Sequence, residues 1–284
     1  MKAGAFAYAR PTTVADALAQ LGGGRDAKVL AGGQSLMPSL NMRLAAPELL
    51  VDINRIEELR GIERRDDSIR IGALVRHAEV IDSDLVRTHL PLVALAMRHV
   101  AHPAVRNRGT TCGSIANADP AAEMPACAVA LDARLVLLSR RGRREIAARQ
   151  FFRGLFETER RDDELLAEVL FPIARRPDRF GFDELAVRHG DFAAVGVAAR
   201  ASIAQGVIAA LDLVVFASES RPLLSRAAAS IAVGQAWSAS LGEAIATAAV
   251  AEMQPMDNLH GRGDTKRKQA RVLITRVLNE ILHG

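Results

Sequence analysis

Apolar positions recur along the chain with two periods, and the switches between them lay out the elements. Behind Pro11-Thr12-Thr13, the residues Val14, Ala17, Leu18 and Leu21 share one helical face. Thr12 or Thr13 is placed to cap that helix, and Gly22-Gly23-Gly24 to end it. Lys28-Val29-Leu30-Ala31 then reads as a buried strand stopping at Gly32-Gly33, and residues 35–43 as a short helix confined by Pro38. With a second strand at 49–53 and a turn at 56–59, residues 1 to about 55 make a small α/β unit.

Residues 69–72 alternate as a strand should, while 75–81, 84–90 and 91–100 suggest helices, the last broken at Pro103. Asp119-Pro120 reads as the start of a helix running to Leu131, because Asp caps a backbone N–H and Pro suits a first turn. Residues 134–138 and 144–147 pair as a hairpin around Gly142, and 165–171 form a strand closed by Pro172. The polar, proline-bearing stretch 175–178 marks a domain boundary. Beyond it, 182–188, 193–204 and 207–216 read as extended, the last two joined at Gln205-Gly206, and 222–233, 241–252 and 265–282 as helices. The expected fold class is α+β: two α/β subdomains, about 1–55 and 56–175, then an α+β domain of antiparallel sheet and helices over 179–284.

Composition narrows the function. Of 284 residues, 49% are hydrophobic and 25% charged, enough for a soluble chain with real cores. No apolar run reaches the roughly eighteen residues of a membrane span. The first residues lack the long apolar core of a signal peptide, so a cytoplasmic location is expected. The net charge of +4 is spread over arginine-rich turns interspersed with acids, as in Arg64-Arg65-Asp66-Asp67. With one Tyr and one Trp, there is no aromatic–basic interleaving for nucleic acid. Two cysteines, Cys112 and Cys127, allow one disulfide but not the four thiolates of an iron–sulfur cluster, so any such cluster sits on a partner. His99 and His102 lack a third metal ligand, and no Gly-x-Ser-x-Gly elbow or hydrolytic acid–base pair stands out. These absences fit electron transfer.

Two stretches carry the candidate chemistry. A strand ending in Gly32-Gly33 can turn sharply and leave outward N–H groups for an anion. Arg108-Gly109-Thr110-Thr111-Cys112-Gly113-Ser114 is a second small, polar, glycine-bearing turn ahead of a helix. Two such turns can grip one pyrophosphate from two sides. Ala31 to Ser35 and Thr110 to Ser114, with Asp119-Pro120-Ala121-Ala122-Glu123 behind, resemble the FAD-binding medium subunit of the molybdenum hydroxylases, the carbon monoxide dehydrogenase and xanthine dehydrogenase relatives. The resemblance runs over the whole chain. It implies a PCMH-type FAD-binding domain at 1–175 and a C-terminal domain of carbon monoxide dehydrogenase flavoprotein type at 179–284.

It also implies roles for residues. Ala31, Gly32, Gly33, Gln34 and Ser35 would hold the pyrophosphate of FAD, with Thr110, Thr111, Cys112, Gly113 and Ser114 opposite. Gln34 stands where relatives often carry histidine, and Cys112 replaces the first glycine of the second motif. If that position needed positive φ, Cys112 would be strained. Its thiol either fills space or lies near the flavin. Glu123 matches an acidic residue that accepts hydrogen bonds from sugar hydroxyls, the alternative being a first-turn helix acid. Phe192, in Arg188-His189-Gly190-Asp191-Phe192-Ala193, would lay its ring on the flavin, and Leu166 would lie beside it; core packing is the alternative for both. Asn117 would brace the second loop. The stretch 259–267 would open the last helix, capped by Asp264 or Thr265, with Val272, Leu273, Val277 and Leu278 as its apolar face. The implied partners are an iron–sulfur small subunit and a molybdenum cofactor large subunit, with electrons leaving FAD for an external acceptor. A stand-alone FAD oxidoreductase and a flavin-less interaction subunit remain as alternatives, the latter favoured by Cys112.

Overall fold

The chain opens with β1 (Ala7–Ala9), α1 (Val14–Leu21), β2 (Ala27–Leu30), α2 (Leu36–Asn41) and β3 (Leu49–Asp52) in a computed structural model that describes residues 2–259 and 261–283. Thr13 caps α1 by accepting the Asp16 N–H at 3.1 Å. β1 and β2 both pair in parallel with β3, giving a three-stranded sheet of order β1-β3-β2. β3 is buried along its whole length.

A 3-10 turn at Glu57–Leu59 leads into β4 (Ile62–Arg65), β5 (Ser68–Gly72), α3 (His77–Asp82), α4 (Asp84–His89) and α5 (Pro91–Met97). Then follow α6 (Pro103–Arg106), α7 (Thr111–Asn117), α8 (Glu123–Ala130), β6 (Arg134–Ser139), β7 (Gly142–Ala147), α9 (Ala148–Phe151), β8 (Phe152–Gly154), β9 (Glu157–Thr158) and β10 (Leu165–Pro172). Five of these strands form an antiparallel sheet of order β4-β5-β10-β6-β7, and β8 pairs with β9 alone. β4 shows no apolar alternation because it is a largely exposed edge strand with sequence Ile-Glu-Arg-Arg. Strand β10 pairs with both β5 and β6, with a register shift between Leu166 and Glu168.

Three sequence expectations here are corrected. The second glycine-bearing stretch is not a loop ahead of a helix: residues 111–117 are themselves α7, capped by Thr110, whose Oγ1 accepts the Gly113 N–H at 3.0 Å. The next helix begins at Glu123, not at Asp119, because Asp119 turns its carboxylate onto the Ala121 N–H at 2.9 Å and closes a local turn instead. The helical run expected over 91–100 already stops at Met97, and Pro103 is the first residue of α6 rather than a break.

The last part comprises β11 (Asp178–Leu185), β12 (Val195–Ala204), β13 (Val207–Phe216), β14 (Leu223–Leu224), α10 (Arg226–Ala232), α11 (Ala239–Glu252) and α12 (Gly263–His283). The strands form an antiparallel sheet of order β11-β12-β13-β14. Gln205 (φ 52) and Gly206 (φ 79) make the two-residue turn between β12 and β13. Residues 223–224 are strand rather than helix because they pair with Val214 and Val215. α12 starts at Gly263, whose N–H is taken by Asp257 at 2.7 Å, so neither Asp264 nor Thr265 caps it. Leu273, Val277 and Leu278 are buried as expected, but Val272 is 58% exposed; Ala270, Ile274 and Ile281 complete the face. His260, within the stretch expected to open this helix, lies outside the described residues.

This sheet has two covered faces. Val195, Val197, Ala199 and Ala201 pack with α10, α11 and α12. Phe182, Ala198, Val214 and Phe216 join the core of the preceding part, alongside Val93 of α5 and Met124 of α8. Gly196 lets the Phe216 ring lie flat on β12, since a Cβ there would fall 2.2 Å from Cζ. The hydrophobic core continues across the expected boundary at 175–178, where Asp178 already opens β11.

Candidate functional site

The two glycine-bearing turns meet. A Cβ built on Gly32 would lie 2.3 Å from the Arg108 carbonyl oxygen and 2.8 Å from the Gly109 Cα, so only glycine permits this approach. Gly33 carries φ +71, the left-handed conformation that aims the turn from β2 into α2. Among the described residues, no hydrogen bond is donated by the backbone N–H of Gly32, Gly33, Gln34 or Ser35. Consecutive uncommitted N–H groups on a tight turn form an anion cradle. The Gln34 side chain folds back to donate to the Gly32 carbonyl at 3.2 Å, and the Ser35 hydroxyl caps nothing.

A chain of polar side chains absent from the sequence reading locks the turns together from behind. Asn54 Nδ2 donates to the Ala31 carbonyl at 2.9 Å. Arg76 donates to Asn54 Oδ1 with one Nη and to the Arg108 carbonyl with the other. Asp52 holds Asn54 in turn, through the Asn54 N–H at 2.9 Å and Nδ2 at 2.6 Å. Burial acts to raise the Asp52 pKa, but the hydrogen bonds from Tyr8 and Asn54 prevail and hold it below the usual carboxylate range. Two Asx- and Arg-bearing loops with no common motif gave no sequence signal for this bracket.

On the inner side of the turns lies a cleft of about 660 Å³. Ala31, Gly32, Gly33, Gln34 and Ser35 line one wall, and Thr110, Cys112, Gly113 and Ser114 line another. Glu123, Leu166 and Phe192 also line it, although they come from α8, β10 and the loop before β12. Of the residues expected here, Thr111 alone is not in the cleft wall. It is fully buried in the first turn of α7, with Oγ1 3.4 Å from His77 Nδ1. Burial, with Arg106 and Arg76 nearby, pushes the His77 pKa down to about 4, so a neutral imidazole supports the second turn. The same ring sits beneath Gly109, where a Cβ would fall 2.9 Å from its Cδ2.

Cys112 is helical and has no positive φ, so it costs no backbone strain. Its thiol points into the core toward the Ile71 carbonyl at 3.5 Å, and burial pushes its pKa up to about 12. Its side chain is buried behind the cleft wall. Cys127 is likewise buried, and both cysteines are free.

Two buried carboxyls in the cleft differ in charge. Glu164 receives two bonds from Arg144, at 2.7 and 2.8 Å; burial opposes ionisation, yet these bonds hold its pKa below the usual value. Glu123 forms no ion pair among the described residues; burial first, then Glu184 and Asp119, push its pKa up to about 8. At neutral pH it offers both an O–H donor and acceptor oxygens to a hydroxylated ligand. Leu166 is 4% exposed, whereas Phe192 is 54% exposed at the rim. A half-bare aromatic ring at a cleft mouth is free to stack on a planar ligand. An anion cradle, a hydroxyl-binding carboxyl, an apolar strand and a free ring suit the diphosphate, sugar and flavin parts of FAD.

Known proteins resemble this chain in sequence and fold. A family model described as the FAD binding domain in molybdopterin dehydrogenase matches residues 4–174, and one described as the CO dehydrogenase flavoprotein C-terminal domain matches residues 180–281. The alpha subunit of the 6-hydroxypseudooxynicotine dehydrogenase complex of Paenarthrobacter nicotinovorans is 38% identical over all of this chain and 96% of its own. The carbon monoxide dehydrogenase medium chain of Hydrogenophaga pseudoflava is 36% identical, with 96% of each chain covered. A solved structure of carbon monoxide dehydrogenase from Hydrogenophaga pseudoflava superposes with a TM-score of 0.96 over 99% of this chain and 98% of that one, at 36% identity.

Proposed function

Because the chain belongs to the FAD-binding medium subunits of the molybdopterin dehydrogenases, we propose that it relays electrons between iron–sulfur clusters and an external acceptor inside a three-subunit complex. It is an oxidoreductase subunit and its cofactor is FAD. The proposed partners are an iron–sulfur small subunit and a molybdenum cofactor large subunit. The cysteine count supports this division of labour, since two buried thiols cannot ligate a cluster.

When bound, FAD supplies electron chemistry in one- or two-electron steps. The chain's own task is to bind and orient it. In this reading the N–H groups of residues 32–35 take the diphosphate, and Thr110, Cys112, Gly113 and Ser114 form the wall opposite it. Glu123 takes sugar hydroxyls, Leu166 fixes the ring edge, and Phe192 covers its face. Residues 1–175 and 179–284 act as the FAD-binding and C-terminal domains. The approach of Gly32 to Arg108 and Gly109 is the observation that carries the proposal, because it turns two remote glycine motifs into one cradle.

The test is purification of the tagged chain from cells expressing its neighbouring reading frames. The expected product is a complex containing iron, molybdenum and flavin, whose flavin bands bleach when the molybdenum subunit's substrate is added. A chain that purifies alone and whose flavin is reduced directly by a substrate would instead be a free-standing oxidoreductase.

A further inference from the structure

A second recess of about 680 Å³ shares the Ala31–Gln34 turn with the flavin cleft and is otherwise lined by different residues. Its size falls within the roughly 300–1,000 Å³ typical of small-molecule sites. Arg10, Arg60, Arg76 and Arg108 line it, with Asp52 and Asn54. The one lining carboxylate is already committed: Asp52 accepts from Tyr8 and Asn54 and pairs with Arg10 at 3.3 Å. Arg60 pairs at 3.1 Å with Glu57, whose side chain is 81% exposed and screened by solvent. Arg108 has no carboxylate partner among the described residues. Arg60 and Arg108 stand close enough to Arg76 to add to burial in lowering its pKa. Arg10, Arg60 and Arg108 are exposed and Arg76 is half-buried, so four guanidinium groups line a concave, solvent-open site that Asp52 alone offsets among the lining residues.

We propose that this recess binds a phosphate-bearing small molecule of nucleoside diphosphate size, held by Arg60 and Arg108 against the flavin loop. Guanidinium forks match phosphate oxygens in a bidentate way. The volume is that of a molecule that enters, rather than of a flat contact with another chain. Since the two recesses share Ala31, Gly32, Gly33 and Gln34, a ligand here touches the loop that also serves the flavin cleft.

The test titrates the FAD-loaded full-length chain with inorganic pyrophosphate and with ADP by calorimetry, at low and at high salt. Saturable one-to-one binding that weakens with salt is expected. An Arg60→Ser variant should bind at least tenfold more weakly while keeping its full complement of FAD. Tighter binding of ADP than of pyrophosphate identifies a nucleotide ligand, and equal binding a phosphate ligand without a base; both support the proposal. Binding confined to FAD-free protein overturns it, because the probe then occupies the flavin cleft. Undiminished binding by the variant also overturns it. So does loss of binding once the chain is assembled with its partner subunits, which would make the arginines an intersubunit contact.

Discussion

Gly33 joins two requirements at one residue: a positive φ, and closeness to a turn whose N–H groups are uncommitted. Gly33→Asp adds strain and puts a negative charge where a diphosphate would lie. We expect flavin content to fall below about a tenth of wild type, read from the ratio of flavin to protein absorbance, since each 1.4 kcal/mol is tenfold in affinity. Glu123 makes a different kind of prediction. Its folded-state pKa of about 8 lies above the ordinary 4.5, so the folded chain holds the proton more tightly than the unfolded one. The stability this confers is complete below pH 4.5 and is lost as pH rises to about 8. Glu123→Gln keeps the neutral form at every pH. The FAD-free variant should melt about 5 °C above wild type at pH 8 and close to it at pH 5, as measured by calorimetry. Equal pH dependence in both proteins would show that Glu123 ionises without penalty. Phe192 was legible in the sequence by resemblance, and its 54% exposure now distinguishes it from a core ring.

Among the elements, helical phase decided what the sequence could not. The stretch 110–114 was recognisable as small and polar, but its being the first turn of α7 sends Thr111 and the Cys112 thiol inward and leaves Gly113 and Ser114 on the cleft. A loop reading treats such neighbours alike; a helix separates them by about 100° each. The same logic corrects α12, where Val272 faces solvent and Leu278 the core. Leu278→Ala should cost about 2–5 kcal/mol of unfolding free energy in urea, and Val272→Ala within about 0.5. Between elements, the bracket from Ala31 through Asn54 and Arg76 to Arg108 joins residues far apart in the chain. Arg76→Ala should raise the FAD dissociation constant roughly tenfold with little change in melting temperature, and Arg76→Lys should not restore it. An ammonium lacks the planar fork that reaches two acceptors at once.

At the level of the whole molecule, the core runs unbroken across the boundary expected at 175–178. One face of the β11–β14 sheet is closed by α10–α12, and the other rests on α5 and α8. Cutting there uncovers Phe182, Val214 and Phe216. A fragment spanning residues 176–284 should therefore self-associate or bind a hydrophobic dye, as seen by light scattering and dye fluorescence. The intact chain should unfold in a single calorimetric transition; two well-separated transitions would mean that the two parts are independent.

The sequence by itself determined what depends on neighbours a few residues apart: the helical and strand periods, a threonine cap at 12 or 13, the Gln205-Gly206 turn and the two small-residue stretches. It also carried enough of a family's pattern to name the cofactor and twelve of the residues that line the cleft. Tertiary structure alone decided which side of each stretch faces the cleft, that Thr111 is excluded from it, and that Asn54 and Arg76 tie it together. It also gathered four arginines from separate loops around one recess. Local propensities act through bonds and turns, whereas these features arise only when distant segments pack, and no spacing along the chain encodes them.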